Sequence, residues 1–231
     1  MNNEVENDAV HNILWNELRE KILAEQIYYH FPNSVNTVLD VGCGDGYLSY
    51  YLQKKKPSLM YYGIDKSIIR LKRISQKVPF VKKALADITC IPLKSNSIDL
   101  VICSEVLEHI SNYHKALTEL LRVTKKYLII TIPNNQELTQ IICPHCQKKH
   151  YLSGHLHKFT KQSINTDLNQ FSSAKITLIS TFYTIYTYNK LTLKFPSFLR
   201  YHLDKIITSL AKIVPFFKGN YLIIILEKHE R

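Results

Sequence analysis

The chain has no long hydrophobic run, since no stretch of 18 or more consecutive residues among its 231 is apolar. A transmembrane helix needs about 20 such residues, so none is expected. The opening MNNEVENDAV is polar and acidic, which argues against a secretory signal. Internal repeats and low-complexity linkers are absent as well. We therefore predict one domain over residues 1–231.

The cysteines do not predict a disulfide framework, since there are five of them, an odd number, in a chain of this length. Cys43, Cys90 and Cys103 stand in apolar or strand-like contexts, whereas Cys143 and Cys146 form a Cys-x-x-Cys pair. This pattern predicts a reducing compartment, the cytoplasm, together with a candidate metal site.

No arginine-rich run accompanies the net charge of +11, which comes from 30 Lys and Arg against 19 Asp and Glu. Such an excess can mark an anionic partner: nucleic acid, a membrane surface or an acidic substrate. The lysines are scattered, with short clusters such as Lys54–Lys56, and this favours an ordinary basic surface. A nucleic-acid partner is therefore not the expectation, and the oligomeric state is left open.

Short apolar runs alternate with amphipathic segments along the first two thirds of the chain. A helix is predicted over 12–31 as an N-terminal addition (residues 1–32). Strands are then predicted at 35–41, 59–65, 79–87, from 97 and at 126–134, with helices between them. This rhythm is typical of an α/β fold with a doubly wound, mostly parallel sheet and helices on both faces.

The regular alternation of predicted strands and helices ends after Pro133. Thr160 is a plausible N-cap of a further helix, with Phe159 and Ile164 at the positions of a hydrophobic staple. A β-type run follows over 174–188, then a helix over 197–214 and a final strand over 220–228. The late strands could extend the sheet with an antiparallel edge pair.

Three of the six glycines fall within five residues, in VLDVGCGDGYLS at 38–49. Glycine permits the sharp turn from strand to helix and lets a ligand approach the backbone and the helix N-terminus. The spacing is not the Gly-x-Gly-x-x-Gly of dinucleotide folds, and no Lys-Ser/Thr of a phosphate loop follows. Asp40 and Asp45 favour a cationic or zwitterionic ligand over a pyrophosphate.

This stretch resembles the first motif of class I S-adenosylmethionine-dependent methyltransferases, in particular the type 11-like members. YYGIDKS, KALADITC and SEVLEHI match further motifs at the expected intervals. The resemblance covers about residues 30–135 and the final strand. It implies a Rossmann-like seven-stranded sheet whose last strand is antiparallel, and a methyltransferase that uses S-adenosyl-L-methionine.

The resemblance also implies which residues hold this cofactor. The amino-acid end would be held by Asp40, Gly42, Cys43, Gly44 and Gly46. The ribose hydroxyls would be bound at the end of the second strand, by Asp65 and its neighbour Lys66. The adenine edge would be read by Asp87 and Ile88. The methionine part would be flanked by the segment 103–109, which includes Ser104.

No catalytic residue is assigned. Methyl transfer from a sulfonium needs alignment above all, and a general base only for acceptors such as hydroxyls. Glu105, Glu108 and His109 are the nearest candidates for that base, although they are equally well explained as structural. The expected acceptor is a small biosynthetic intermediate, methylated on oxygen, nitrogen or carbon. RNA or protein methylation and a non-catalytic scaffold are the alternatives.

Residues 134–158 form an insert rich in Cys and His after the predicted fifth strand. Structural zinc is the favoured interpretation, with Cys143, Cys146, His150 and His155 as ligands and His157 less favoured than His150. An ordinary basic loop with free thiols, or contact with the substrate, are the alternatives. Similar inserts occur in some small-molecule members of the family, where a cap over the substrate site is expected.

A second addition is the helical cap predicted at 191–217. Its apolar stripe, with Arg200, Lys205 and Lys212 off the stripe, favours a helix packed on the domain. A helix lying on a membrane surface is the less favoured alternative.

Overall fold

A computed structural model describes residues 19–142, 145–151, 153–182 and 219–229. Its main sheet has seven strands. They are β1 (Thr37–Val41), β2 (Met60–Asp65), β3 (Lys82–Leu85), β4 (Ile98–Ser104), β5 (Thr124–Pro133), β8 (Ala174–Phe182) and β9 (Tyr221–Lys228). A separate two-stranded hairpin consists of β6 (Gln140–Ile142) and β7 (Lys149–Tyr151).

The strand order in the main sheet is β3-β2-β1-β4-β5-β9-β8. The pairs β2·β3, β1·β2, β1·β4 and β4·β5 are parallel, whereas β9 runs antiparallel to both β5 and β8. The last strand is therefore the antiparallel one, inserted between β5 and β8. The predicted doubly wound, Rossmann-like fold is confirmed.

The helices cover both faces of the sheet. Residues 19–29 are helical and are called α1 here. The others are α2 (Tyr47–Lys55), α3 (Ile68–Lys77), α4 (Tyr113–Val123) and α5 (Lys161–Leu168), with a 3-10 turn at Leu107–His109.

The hydrophobic core has two layers, one on each face of the sheet, because alternate residues of the central strands point to opposite faces. Val101 and Cys103 of β4 pack with α4 and α5 on one face, in a cluster that includes Leu117. Leu100 and Ile102 point to the other face, towards α1 and α3. Because both faces are covered, β4 reads as a continuous apolar run, as parallel central strands do.

Side-chain caps fix the starts of α3, α4 and α5. Ser67 accepts a hydrogen bond from the Arg70 amide at the start of α3, and Asn112 accepts one from the Lys115 amide at the start of α4. Thr160 caps α5 in a reciprocal capping box with Ser163, which confirms the predicted N-cap.

Some predicted boundaries differ from the structure. The third strand was expected over 79–87 but spans only Lys82–Leu85, and all four of its residues are exposed. It lies at the sheet edge, where only one neighbour supplies hydrogen bonds. The predicted cap at 191–217 and the first half of the helix at 12–31 lie outside the described residues. Where the chain is described, no helix is both long and apolar enough to cross a membrane.

Candidate active site

A cavity of about 810 Å³ lies at the carboxyl ends of the parallel strands. It is lined by the last residue of β1, the last two residues of β2, and the residues that directly follow β3 and β4. Parallel strands end at a common edge, and the order change between β1 and β4 opens a crevice there, the usual ligand site of such sheets.

The glycine loop between β1 and α2 forms one wall. Gly42, Gly44 and Gly46 have φ of 73°, 53° and 81°, a region that other residues adopt only with strain. A Cβ on Gly42 would overlap Val106 Cγ2, so glycine lets the loop approach the segment after β4. The Gly42 and Cys43 amides donate to the Ile64 carbonyl, which fixes the loop against β2.

Asp65 connects the glycine loop to helix α3. Its Oδ2 accepts from the Gly44 amide at 3.0 Å, and its Oδ1 accepts from the Ser67 amide at 2.7 Å. The residue is 8% exposed and lines the cavity. A carboxylate held in this way keeps lone pairs for the hydroxyl groups of a bound ligand.

Asp87 presents a second carboxylate from the turn after β3. Its Oδ1 accepts from both the amide and the hydroxyl of Thr89, each at 2.7 Å. These bonds, together with the charges of Lys66 and Lys115, lower the pKa of Asp87, so the group is ionised at neutral pH. Ile88 beside it is buried and lines the same cavity.

The residues around this cavity fit S-adenosylmethionine. Gly42, at φ 73°, brings bare backbone to the cavity wall, and Asp65 and Asp87 offer carboxylates that can accept from hydroxyl and amine groups. Ile88 supplies an apolar surface for a ring.

The ten predicted cofactor residues divide into two groups. Those that line the cavity are Gly42, Asp65, Lys66, Asp87 and Ile88. Those that do not line it are Asp40, Cys43, Gly44, Gly46 and Ser104. Cys43 packs into the core against the position of Gly63, and Ser104 Oγ lies 2.7 Å from Thr131 Oγ1.

Asp40 faces inward rather than into the cavity. It is 4% exposed, and its Oδ2 accepts from Ser49 Oγ at 2.9 Å. Burial raises the pKa of Asp40 to about 7, and the hydrogen bond from Ser49 only partly offsets this. The protonated form is therefore favoured by folding, because it removes a buried charge.

We expect Asp40→Asn to alter how stability depends on pH. Because folding raises the Asp40 pKa from 3.8 to about 7, the wild type loses stability as pH rises towards 7. The slope is roughly 1.4 kcal/mol per pH unit in this window. Asparagine cannot ionise, so it stays uncharged at every pH, and it can still accept from Ser49. Denaturant unfolding at pH values from about 5 to about 8 measures the free energy of unfolding of both proteins. The value for the variant should rise relative to the wild type up to about pH 7, and above that pH the difference should stay constant.

Asp45→Asn is the matched control, since Asp45 is half exposed and lies 3.7 Å from Arg73. It should leave the slope unchanged. Parallel curves for wild type and Asp40→Asn would contradict the inward, uncharged state of Asp40.

Several cavity residues were missed by the sequence reasoning. They are Ser67, Arg70, Ser111, Asn112, Lys115 and Gly154. The two N-caps among them, Ser67 and Asn112, could have been found from their positions before amphipathic helices. Gly154 comes from the insert and carried no signal of its own.

The candidate general bases lie after β4. Glu105 lines the cavity in a left-handed conformation (φ 57°), which is strained for a non-glycine residue. Burial, and then the neighbouring Glu108, raise the pKa of Glu105 well above its usual range. Burial also raises the pKa of Glu108 to about 7 and lowers that of His109. His109 lines the cavity as a neutral imidazole at pH 7, so it can accept a proton there.

The insert packs on the segment that follows β4. The Leu156 amide donates to the Glu108 carbonyl at 2.6 Å, and His157 Nε2 lies 2.9 Å from the Ile110 carbonyl. His109 Nδ1 lies 3.1 Å from the carbonyl of Gly154. These contacts place the end of the insert at the cavity wall.

The predicted zinc ligands are not all together. Cys146 Sγ lies 3.4 Å from His150 Nε2, and Cys143 is outside the described residues. His155 instead stacks edge-on against His109, with ring centroids 4.7 Å apart. Among the residues described, Glu108, His109 and His155 each bring one ligand-capable atom within 4.8 Å of the others.

Residues 39–130 match the family described as a methyltransferase domain. The chain is similar to an uncharacterised protein of Methanocaldococcus jannaschii, 41% identical over 103 residues, which are 44% of this chain and 42% of the relative. It is 31% identical over 112 residues to the human mitochondrial arginine-hydroxylase NDUFAF5 (47% of this chain, 32% of the relative). Over 112 residues it is also 31% identical to the ubiquinone biosynthesis O-methyltransferase of Rickettsia canadensis (48% of each). The chain spans less than half the length of these relatives.

Among solved structures, the S-adenosylmethionine-dependent methyltransferase from Mesorhizobium loti has the same fold. The TM-score is 0.61 at 15% identity, over 88% of this chain and 96% of that one. Residues 39–130 therefore match a methyltransferase domain, as predicted, and the fold over most of the chain is that of a solved S-adenosylmethionine-dependent methyltransferase.

Proposed function

We propose that this methyltransferase domain binds S-adenosylmethionine in the cavity at the ends of β1 to β4 and methylates a small molecule on oxygen, nitrogen or carbon. The observation that carries the proposal is the cavity itself, where Asp65 and Asp87 from successive strand ends line the same space as Gly42 of the glycine loop. Its volume of about 810 Å³ lies within the range of roughly 300–1,000 Å³ that is typical of small-ligand sites.

The bound cofactor supplies a methyl group already activated by the positive sulfur. The chain's own residues then have to align the acceptor and exclude water. Glu105 and His109 lie on the cavity wall after β4, and the insert reaches that wall through Gly154. For a hydroxyl acceptor, His109 is the group placed to accept its proton, because its imidazole is neutral at pH 7.

Methylation of RNA is the second candidate, and one observation favours it. Lys66, Arg70 and Lys115 line the cavity, and the chain carries a net charge of +11. Cations at a cavity suit an acceptor with phosphate or carboxylate groups, whether small or polymeric.

The proposal is tested by the fate of a labelled methyl group. Calorimetry first measures the binding of S-adenosylmethionine to the full chain. The protein is then incubated with tritium-labelled S-adenosylmethionine and a cell extract divided into small molecules, RNA and protein. We expect label in the small-molecule fraction, and none with Asp65→Ala.

Label confined to RNA would favour the second candidate and overturn the first. Binding without transfer to any fraction would point to another reaction on this fold, as the name of the human hydroxylase illustrates. Absence of cofactor binding would indicate a non-catalytic scaffold.

Two finer parts of the proposal concern metal and location. A structural zinc ion in the insert is supported by the contact between Cys146 and His150, with Cys143 as a third candidate ligand. The four cysteines of the described residues, which are free, support a cytoplasmic location.

A further inference from the structure

Glu108, His109 and His155 bring three metal-ligating side chains together from distant parts of the chain. One ligand-capable atom of each lies within 4.8 Å of the others. Glu108 and His109 belong to the 3-10 turn after β4, and His155 belongs to the insert, 46 positions further on. The grouping is therefore a product of the fold and not of local sequence.

The cluster contains buried polar atoms that have no hydrogen-bond partner. Glu108 is fully buried, and neither of its carboxylate oxygens has a hydrogen-bond partner in another residue of the described part of the chain, while the charge of Arg19 acts on it from nearby. Nδ1 of His155 is buried and equally unpartnered there. A buried polar group without a hydrogen bond destabilises the fold by about 1–3 kcal/mol, and by more if it is charged. Each such group in a native structure therefore needs an explanation. A cation that accepts lone pairs from all three groups satisfies them together.

The backbone around the cluster is already fixed. The Leu156 amide donates to the Glu108 carbonyl. Because Leu156 follows His155 directly, this bond keeps His155 next to the 3-10 turn. Nδ1 of His109 faces the Gly154 carbonyl at 3.1 Å. If this nitrogen carries the proton, Nε2 has the free lone pair. A metal-bound histidine is commonly oriented by just such a hydrogen bond from its other nitrogen.

We propose that Glu108, His109 and His155 form a binding site for a divalent transition-metal ion such as Zn²⁺. Two imidazoles and one carboxylate are a ligand set that Zn²⁺ and its first-row neighbours accept. Three protein ligands leave at least one coordination position open, as in catalytic and not structural zinc sites. The ligand atoms, up to 4.8 Å apart, have to close by roughly 1.5 Å to reach the separation of about 3.3 Å that a tetrahedral ion with bonds of about 2 Å requires.

The position of the site suggests what the open coordination position binds. His109 and Gly154 line the cavity, so an ion held by His109 faces the same space as Glu105. With the ion bound, His109 is a ligand and no longer serves as the base. An acceptor oxygen bound to the ion would instead lose its proton more readily, because a metal lowers the pKa of a bound hydroxyl. This role rests on the proposed function, whereas the metal site itself does not.

The site competes with the zinc site in the insert for one residue. His155 is a candidate in both, but Glu108 belongs only to the cluster described here, and Cys146 only to the insert pair. Glu108→Gln and Cys146→Ser therefore separate the two sites. Glu108→Gln is nearly isosteric and removes a buried charge, so it should not unfold the chain.

The experiment measures binding of Co²⁺ and Zn²⁺ to the full chain after treatment with a chelator. Equilibrium dialysis gives the stoichiometry, and the visible absorption of Co²⁺ reports its coordination. Neither readout needs cofactor or acceptor. Circular dichroism verifies the fold of each variant.

We expect Glu108→Gln and His155→Ala each to weaken binding of about one equivalent of metal by about 100-fold or more. Cys146→Ser and His150→Ala should retain that equivalent. The proposal is overturned if the wild type binds no metal, or if Glu108→Gln binds as the wild type does. Loss of all binding in Cys146→Ser would place the ion in the insert and overturn it equally. Cofactor binding, measured separately by calorimetry, shows whether the proposed function stands.

Discussion

Gly44→Leu is expected to abolish binding of S-adenosylmethionine while the chain stays folded. Gly44 adopts φ of 53°, and its amide donates to Asp65 Oδ2. A side chain here is strained, at a cost of about 1–2 kcal/mol. The added Cβ would lie 3.4 Å from Arg70 Nη1, an exposed side chain at the cavity that can move aside. The core is therefore spared, whereas leucine would crowd the loop at the cavity and displace its amide from Asp65.

Calorimetry with S-adenosylmethionine should show a loss of affinity of at least about 100-fold, the equivalent of roughly 2.7 kcal/mol. Gly44→Ala separates the effect of backbone strain from that of side-chain bulk, because alanine keeps the strain but adds little bulk. An intermediate loss of affinity is expected. Undiminished affinity in the leucine variant would mean that the loop does not hold the cofactor.

Gly46→Ala is the contrasting variant in the same loop. A Cβ on Gly46 would lie 3.1 Å from both Ile74 Cγ1 and Val78 Cγ2, and both residues are buried. The added methyl group would crowd the hydrophobic core and strain the backbone at Gly46, so the thermal stability of this variant should decrease. Gly44→Leu and Gly46→Ala should therefore differ in which property they damage.

Asp65→Ala is expected to have an effect of similar size on cofactor affinity. The carboxylate joins the Gly44 and Ser67 amides, and it is 8% exposed at the cavity. Its removal leaves two amides without their acceptor. It also removes the group that, by the family resemblance, binds the ribose hydroxyls. Hydrogen bonds to a charged group contribute about 1.5–3 kcal/mol each, so a decrease of 100-fold or more is expected.

Asp65→Asn and Asp45→Asn are the controls for this prediction. Asparagine at 65 keeps one acceptor and should give a smaller decrease. Asp45 lies in the same loop but pairs with Arg73 and does not line the cavity, so its variant should bind as the wild type does. Equal losses at 45 and 65 would show a general effect of loop charge and contradict a specific role of Asp65.

Much of the fold was predictable from the sequence, because its signals are local. Apolar runs as long as a strand alternate with helical stripes, and Asp65 and Asp87 follow two of those runs directly. The carboxyl ends of neighbouring parallel strands meet at one edge, so these two acids had to lie at the same edge of the sheet as the glycine loop. Their placement on the cavity wall follows from strand direction alone.

The position of Asp40 was not predictable in the same way. It stands at a strand end like the other two, yet its side chain turns towards Ser49 of α2 and away from the cavity. Successive residues of a strand point to opposite faces, and which face a polar residue takes depends on the partner that packing offers there.

The sequence by itself determined the alternation of strands and helices, the glycine turn and the acids at the ends of β2 and β3, because each depends on neighbours a few residues apart. Only the tertiary structure decided that His155 lies with Glu108 and His109, and not with Cys146 and His150. No spacing in the chain encodes that meeting, since it depends on how the insert folds back onto the turn after β4. Contacts between residues so far apart follow from packing and backbone hydrogen bonds, such as that from Leu156 to Glu108, and not from local pattern.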